Sequence, residues 1–102
     1  MNLRVLPEAT EDARQQSEYY DDLNPGLGDE FLDALRSAYD AILANPKLFA
    51  MHERASPRRQ FRFAMLEGFP FQVVYLVRRT ETVVFAVAHN SRNPDYWIRR
   101  KS

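Results

Sequence analysis

The chain has no cysteine, which excludes disulfides, thiolate metal sites and cysteine nucleophiles, and fits a reducing compartment. Three glycines in 102 residues are too few and too scattered for a loop that cradles phosphate, which argues against nucleotide hydrolysis. The two histidines, His52 and His89, are too few for an imidazole cluster, so neither a metal nor another cofactor is expected. Long apolar runs are also missing. The longest, Val73 to Val77 and Val83 to Ala88, fall far short of the roughly eighteen residues that span a bilayer, and they read as strands. The N-terminus, Met1-Asn2-Leu3-Arg4-Val5-Leu6-Pro7, turns acidic without the apolar core of a signal peptide, so a cytoplasmic protein with no membrane partner is expected.

What is present is enough for one folded domain. At 102 residues, 45% of them hydrophobic and 13% aromatic, the chain can offset its conformational entropy around a single core spanning residues 1 to 102. A formal net charge of zero hides a segregation along the sequence. Residues 1 to 50 carry four basic and ten acidic side chains, a net of −6, and residues 51 to 102 carry ten basic and four acidic, a net of +6. Nine of the ten C-terminal cations are arginine, whose planar fork suits phosphate and carboxylate. The C-terminal half is therefore where an anionic partner is expected.

Asn2 to Leu6 is a short apolar and β-branched run closed by Pro7, and reads as an edge strand. From Glu8 the period changes: Ala9, Ala13, Tyr20 and Leu23 recur at helical spacing, with acids in the first turn. Asn24-Pro25-Gly26 stops this helix. A second helix carries the stripe Leu27, Phe31, Ala34, Leu35, Ala38 and Ile42 and ends at Asn45-Pro46. Lys47 to Pro57 reads as a connecting loop, with His52 solvated in it. Arg58, Gln60 and Arg62 alternate with Arg59, Phe61 and Phe63, which predicts a half-buried strand from Arg58. Phe71 to Val77 is a central strand, Arg78 to Glu81 a turn, Val83 to His89 a further strand, and Asp95 to Arg100 a terminal helical turn. The expected class is α+β: an N-terminal strand and an antiparallel two-helix hairpin packed on a three-stranded antiparallel meander. The first strand is expected to join the sheet edge after the hairpin crosses over.

The segment His89-Asn90-Ser91-Arg92-Asn93-Pro94-Asp95-Tyr96-Trp97-Ile98-Arg99-Arg100 leaves a buried strand, where polar groups are held rigidly at the surface. Arg92 is suited to clamp a phosphate and Tyr96 to move a proton or stack on a base. The competing structural reading has Tyr96 and Trp97 capping the core and Arg92 paired with Asp95. The carboxylate pairs Asp21-Asp22 and Asp29-Glu30 fall at helix ends and read as solubilising.

Taken in order, the acidic helical hairpin, the arginine-rich strand, Phe69-Pro70-Phe71-Gln72-Val73-Val74-Tyr75 and the tail His89-x-x-Arg92-x-Pro94-x-Tyr96-Trp97 resemble the RelE/ParE toxins of bacterial type II toxin–antitoxin systems, over nearly the whole chain. The resemblance implies a growth-arresting toxin, associated with plasmid stabilisation, that a cognate antitoxin neutralises by wrapping its surface. Tyr19, Tyr20 and Tyr39 mark the surface expected to meet the antitoxin. In the ribosome-dependent mRNA endonucleases of the superfamily, basic residues on the sheet and a C-terminal Arg and Tyr hold the scissile phosphate. Arg62, Arg92 and Tyr96 are the corresponding catalytic candidates, but Gln72 stands at the middle-strand arginine position, and Arg92 and Tyr96 are closer together than in that group. The ParE-like branch, which inhibits DNA gyrase, accommodates these departures. Its target-binding candidates are Arg58, Arg59, Arg62, Arg92, Tyr96, Trp97 and Arg99. The endonuclease and a degenerate, non-toxic family member are the alternatives.

Overall fold

Proline sets the first boundary of the computed structural model, which describes residues 2–102. Strand β1 (Asn2–Val5) gives way to helix α1 (Pro7–Leu23), where Pro7 occupies the first turn, a position that requires no amide donor. Asn24-Pro25-Gly26 then reverses the chain into α2 (Leu27–Ala44). Gly26 takes a left-handed φ of 93° there, a conformation costly for a residue with a Cβ. At Gly28 the two helices nearly touch: a Cβ built at that position would lie 2.4 Å from the Ser17 backbone carbonyl oxygen. The Asp21 carboxylate accepts hydrogen bonds from the Gly26 and Gly28 amides. Asp21 therefore caps the start of α2 from α1 and is more than a solubilising charge.

The second half forms β2 (Arg62–Met65), β3 (Phe71–Val77), β4 (Glu81–His89) and a one-turn helix α3 (Asp95–Ile98). The strand order is β1-β4-β3-β2. β1 pairs in parallel with β4, and the meander β2-β3-β4 is antiparallel. The α1–α2 hairpin is thus the crossover that carries the chain from β1 to the other side of the sheet, as expected. Strand β2 is shorter than the sequence alternation predicts. Residues 58–61 are not strand, because Ser56 and Arg59 close a tight turn through reciprocal backbone hydrogen bonds. Only beyond that turn does the chain reach β3.

The two central strands, β3 and β4, are buried on both faces. On one side, Ala9, Ala13, Phe31, Leu35, Ala38 and Ile42 of the hairpin cover them. Leu23, assigned to that stripe by its spacing, is 62% exposed instead. On the other side a smaller aromatic nest joins loop and tail: Phe61 lies edge-on to Phe85 and to Trp97, and His52 edge-on to Trp97 and Phe63. The β3–β4 register skips Phe85, pairing Val74 with Ala86 and Tyr75 with Val84. A one-residue bulge of this kind re-aims a side chain, and Phe85 fills the second nest.

His52 is 8% exposed, which corrects its assignment as a solvated loop residue. Its Nδ1 accepts the Arg54 amide, fixing the ring between its aromatic neighbours. Burial lowers its pKa, against the neighbouring Glu53 carboxylate, which raises it, and with the Arg54 charge adding to the lowering. Among the described residues no helix is long and apolar enough to cross a membrane.

Candidate functional site

The tail is pinned where β1 runs out. β1 pairs with β4 as far as Val5 opposite Val84, and the Leu6 amide bonds the Val84 carbonyl. Beyond that point side chains satisfy the edge of β4. The Val87 amide donates to Asp12, and Arg100 donates to the Phe85 carbonyl at 2.9 Å. Asp12 and Arg100 also form a two-pronged ion pair, at 2.7 and 3.0 Å, with side chains only 15% and 13% exposed. This pair stitches helix α1, strand β4 and the C-terminus together. The only trace of Asp12 in the sequence is an acid in the first turns of a helix, indistinguishable from its neighbours, so composition does not single it out.

Tyr96 sits between two guanidinium groups, with Arg92 3.6 Å and Arg100 5.2 Å from the ring centroid. Stacking of this kind contributes about 0.5–2 kcal/mol, depending on desolvation. Burial pushes the Tyr96 phenol above its ordinary pKa, and the nearby Asp12 carboxylate adds to this against the two arginines. A phenol held in that direction is a poor base near neutral pH. Arg92 is not paired with Asp95, because that carboxylate bonds Arg54 at 2.7 Å. Arg92, Tyr96 and Arg100 share a concavity with Glu8, Glu11 and Asp12, which places carboxylates where a phosphate would have to enter.

The remaining candidates divide into engaged and free. Trp97 is 1% exposed in the second aromatic nest, so its indole supports the core and is closed to a target, contrary to its assignment as a contact residue. Arg59 donates to the Ile98 and Arg100 carbonyls at 2.9 and 3.4 Å and lies over the Phe61 and Phe85 rings. Arg62 donates to the Phe49 carbonyl at 2.6 Å. Both therefore serve the fold. Arg58 and Arg99 are exposed and carry no ion pair among the described residues.

Arg62 and the pair Arg92–Tyr96 are not brought together. Arg62 is on β2, the edge opposite β1, whereas Arg92 and Tyr96 pack beside α1 at the β1 edge. Gln72, on β3, lines a separate cleft with His52, Phe63, Met65 and Asn90. No cation from the candidate set enters that cleft.

The tyrosines also separate. Tyr19 is 56% exposed and edge-on to Tyr20, which packs on Phe31, Phe69 and Phe71 at the turn end of the hairpin. Tyr39 lies about two turns farther along α2 than Phe31, or roughly 12 Å at 1.5 Å per residue. Burial and the nearby Asp12 carboxylate push its phenol up to about 12.

A helical hairpin crossing over a four-stranded sheet, with a tail latched to the sheet edge, defines a small α+β fold built to present surfaces. Residues 3–94 match the family model described as the ParE toxin of the type II toxin–antitoxin system parDE, and the chain belongs to that family. Its fold is similar to a solved structure titled the chromosomal ParDE TA system from P. aeruginosa, at 18% identity and a TM-score of 0.64, covering 87% of this chain and 95% of that one. No curated protein sequence matches the chain.

Proposed function

We propose that this ParE-family toxin arrests growth by binding DNA gyrase, without chemistry of its own, and that a cognate antitoxin neutralises it. The observation that carries the proposal is the dispersal of Arg62, Arg92 and Tyr96. Phosphoryl-transfer catalysis needs groups preorganised within hydrogen-bond reach of one phosphate. Here Arg62 is committed to a backbone carbonyl on one sheet edge, and Arg92 and Tyr96 stack on each other at the opposite edge. The target contacts are the exposed Arg58, Arg92 and Arg99, with Tyr96 holding the Arg92 fork in place. The antitoxin covers the exposed aromatic end of the hairpin around Tyr19 and Tyr20.

The test is inducible expression of the chain alone, with growth, plasmid supercoiling and total mRNA followed together. The expected result is arrest with altered supercoiling and intact mRNA, weakened by the combined Arg58→Glu, Arg92→Glu and Arg99→Glu substitutions. Arrest with cleaved mRNA and unchanged supercoiling would overturn the gyrase reading in favour of the endonuclease. Absence of arrest would indicate a silent family member.

A further inference from the structure

The hairpin turn and the β2–β3 turn meet at one end of the molecule and leave two concavities on either side of Tyr20. The larger, about 620 Å³, has a floor of Tyr20, Leu27, Ala34, Phe69 and Pro70. Its rim carries Glu30, Asp33 and Glu67. The smaller, about 460 Å³, lies between the exposed Tyr19 and Leu23 and the end of the sheet at Phe71 and His89.

The floor is rigid. Phe69 stands edge-on to Tyr20 at 5.0 Å and to Phe31 at 5.3 Å, so a ligand would meet a formed surface and would not have to order one. The rim is of one sign. Among the described residues Glu30 and Glu67 form no ion pair, and Asp33 meets only Arg36, at 3.4 Å, with both side chains more than 70% exposed. An exposed pair of that kind neutralises little. Among the described residues these carboxylates do not form a group able to hold a metal ion. The groove therefore combines an apolar, aromatic floor with a rim of solvated negative charge that, among the described residues, only the exposed Arg36 approaches.

We infer that this groove seats a segment of the antitoxin in which an apolar anchor is flanked by lysines or arginines. The anchor displaces water from the Tyr20–Phe69 floor, and the flanking cations reach Glu30, Asp33 and Glu67. The inference rests on the antitoxin reading above and gives that partner a chemistry: opposite charge at the rim speeds encounter and rejects acidic competitors, while apolar burial supplies affinity. Tyr39, far along α2, takes no part.

The experiment uses the whole chain and two fluorescein-labelled amphipathic peptides with identical leucine spacing, one with lysine and the other with glutamate at every polar position. Fluorescence anisotropy should show the lysine peptide binding at least ten-fold more tightly, with the preference shrinking several-fold between 50 and 500 mM salt. The triple change Glu30→Lys, Asp33→Lys and Glu67→Lys should reverse the preference. Glu67→Lys alone should reduce it, which keeps the test valid if the triple variant is poorly folded. A control triple elsewhere on the hairpin, Glu8→Lys, Glu18→Lys and Asp22→Lys, should leave it intact.

Equal binding of both peptides would overturn the inference, as would loss of the preference in the control triple. A dimer of this chain, seen by sedimentation and dispersed by the rim triple, would overturn it in favour of a second copy as occupant. The two readings fail separately. A chain that does not arrest growth but still prefers the lysine peptide defeats only the toxin reading, and a toxic chain without the preference defeats only the groove.

Discussion

The acidic and basic halves of this chain use their charges in opposite ways. In the C-terminal half four of the nine arginines are engaged by carbonyls or carboxylates of the chain itself. Arg54 holds Asp95, Arg59 holds the end of α3, Arg62 holds the loop before β2, and Arg100 bridges Asp12 and Phe85. In the hairpin, Asp12 and Asp21 do comparable internal work, whereas Glu30 and Asp33 face solvent around an aromatic groove. Arg14, with Glu11 and Glu18, forms an exposed pair of contacts of the ordinary surface kind. A count of charge places the interacting surface in the basic half. The larger of the two concavities beside Tyr20 is instead rimmed by acids from both halves, Glu30 and Asp33 from the hairpin and Glu67 from the β2–β3 turn.

That contrast can be broken experimentally, beginning where the tail enters the core. Trp97→Ala removes a side chain that is 1% exposed and should cost about 4 kcal/mol in urea unfolding. A loss under about 1 kcal/mol would mean that the tail is an appendage and not part of the fold.

Next comes Asp12→Ala, which leaves the Arg100 guanidinium, 13% exposed, without its carboxylate. The expected loss is about 3 kcal/mol, against a change within about 0.5 kcal/mol for Glu18→Ala on the solvent side of the same helix. Combining Asp12→Leu with Arg100→Leu should cost less than the two single changes added together, because the double variant buries no lone charge. Simple additivity would show that the two groups do not act as a pair.

A smaller difference separates neighbouring arginines. Arg59→Ala should lose about 1–2 kcal/mol with its carbonyl contacts, and Arg58→Ala should change stability by less than about 0.5 kcal/mol. Gyrase inhibition should show the reverse order when the folded variants are compared, weaker for Arg58→Ala than for Arg59→Ala. Equal inhibition by both would remove Arg58 from the target surface.

The smallest effect belongs to His52. Its folded pKa is depressed from 6.5 by burial, so below 6.5 the unfolded chain binds the proton more readily and stability falls as the pH drops, until the folded protein is also protonated. His52→Phe should flatten that part of the stability–pH profile whatever its effect on stability at neutral pH. An unchanged slope in the variant would show that another group carries it.

Much of this architecture is legible along the chain because its signals are local. Pro7, Asn24-Pro25-Gly26 and Asn45-Pro46 punctuate the helices, and the apolar runs around Val73 and Val84 mark the two strands of the sheet's centre. The alternation from Arg58 to Phe63 misled because Phe61 is held against Phe85 and Trp97 by contacts some 24 and 36 residues away, and a period-2 pattern cannot register a turn closed by backbone hydrogen bonds. His52 misled for the same reason, since its burial depends on Trp97 arriving from the tail.

By itself the sequence determined the order of elements, the α+β class and the segregation of charge, because each follows from residue type and short-range spacing, and its motifs carried the resemblance that the family match bears out. Tertiary structure alone decided which charges remain available. An arginine or aspartate is a partner-seeking group or an internal strut according to what folds beside it, and for Asp12 and Arg100 that neighbour is 88 positions distant.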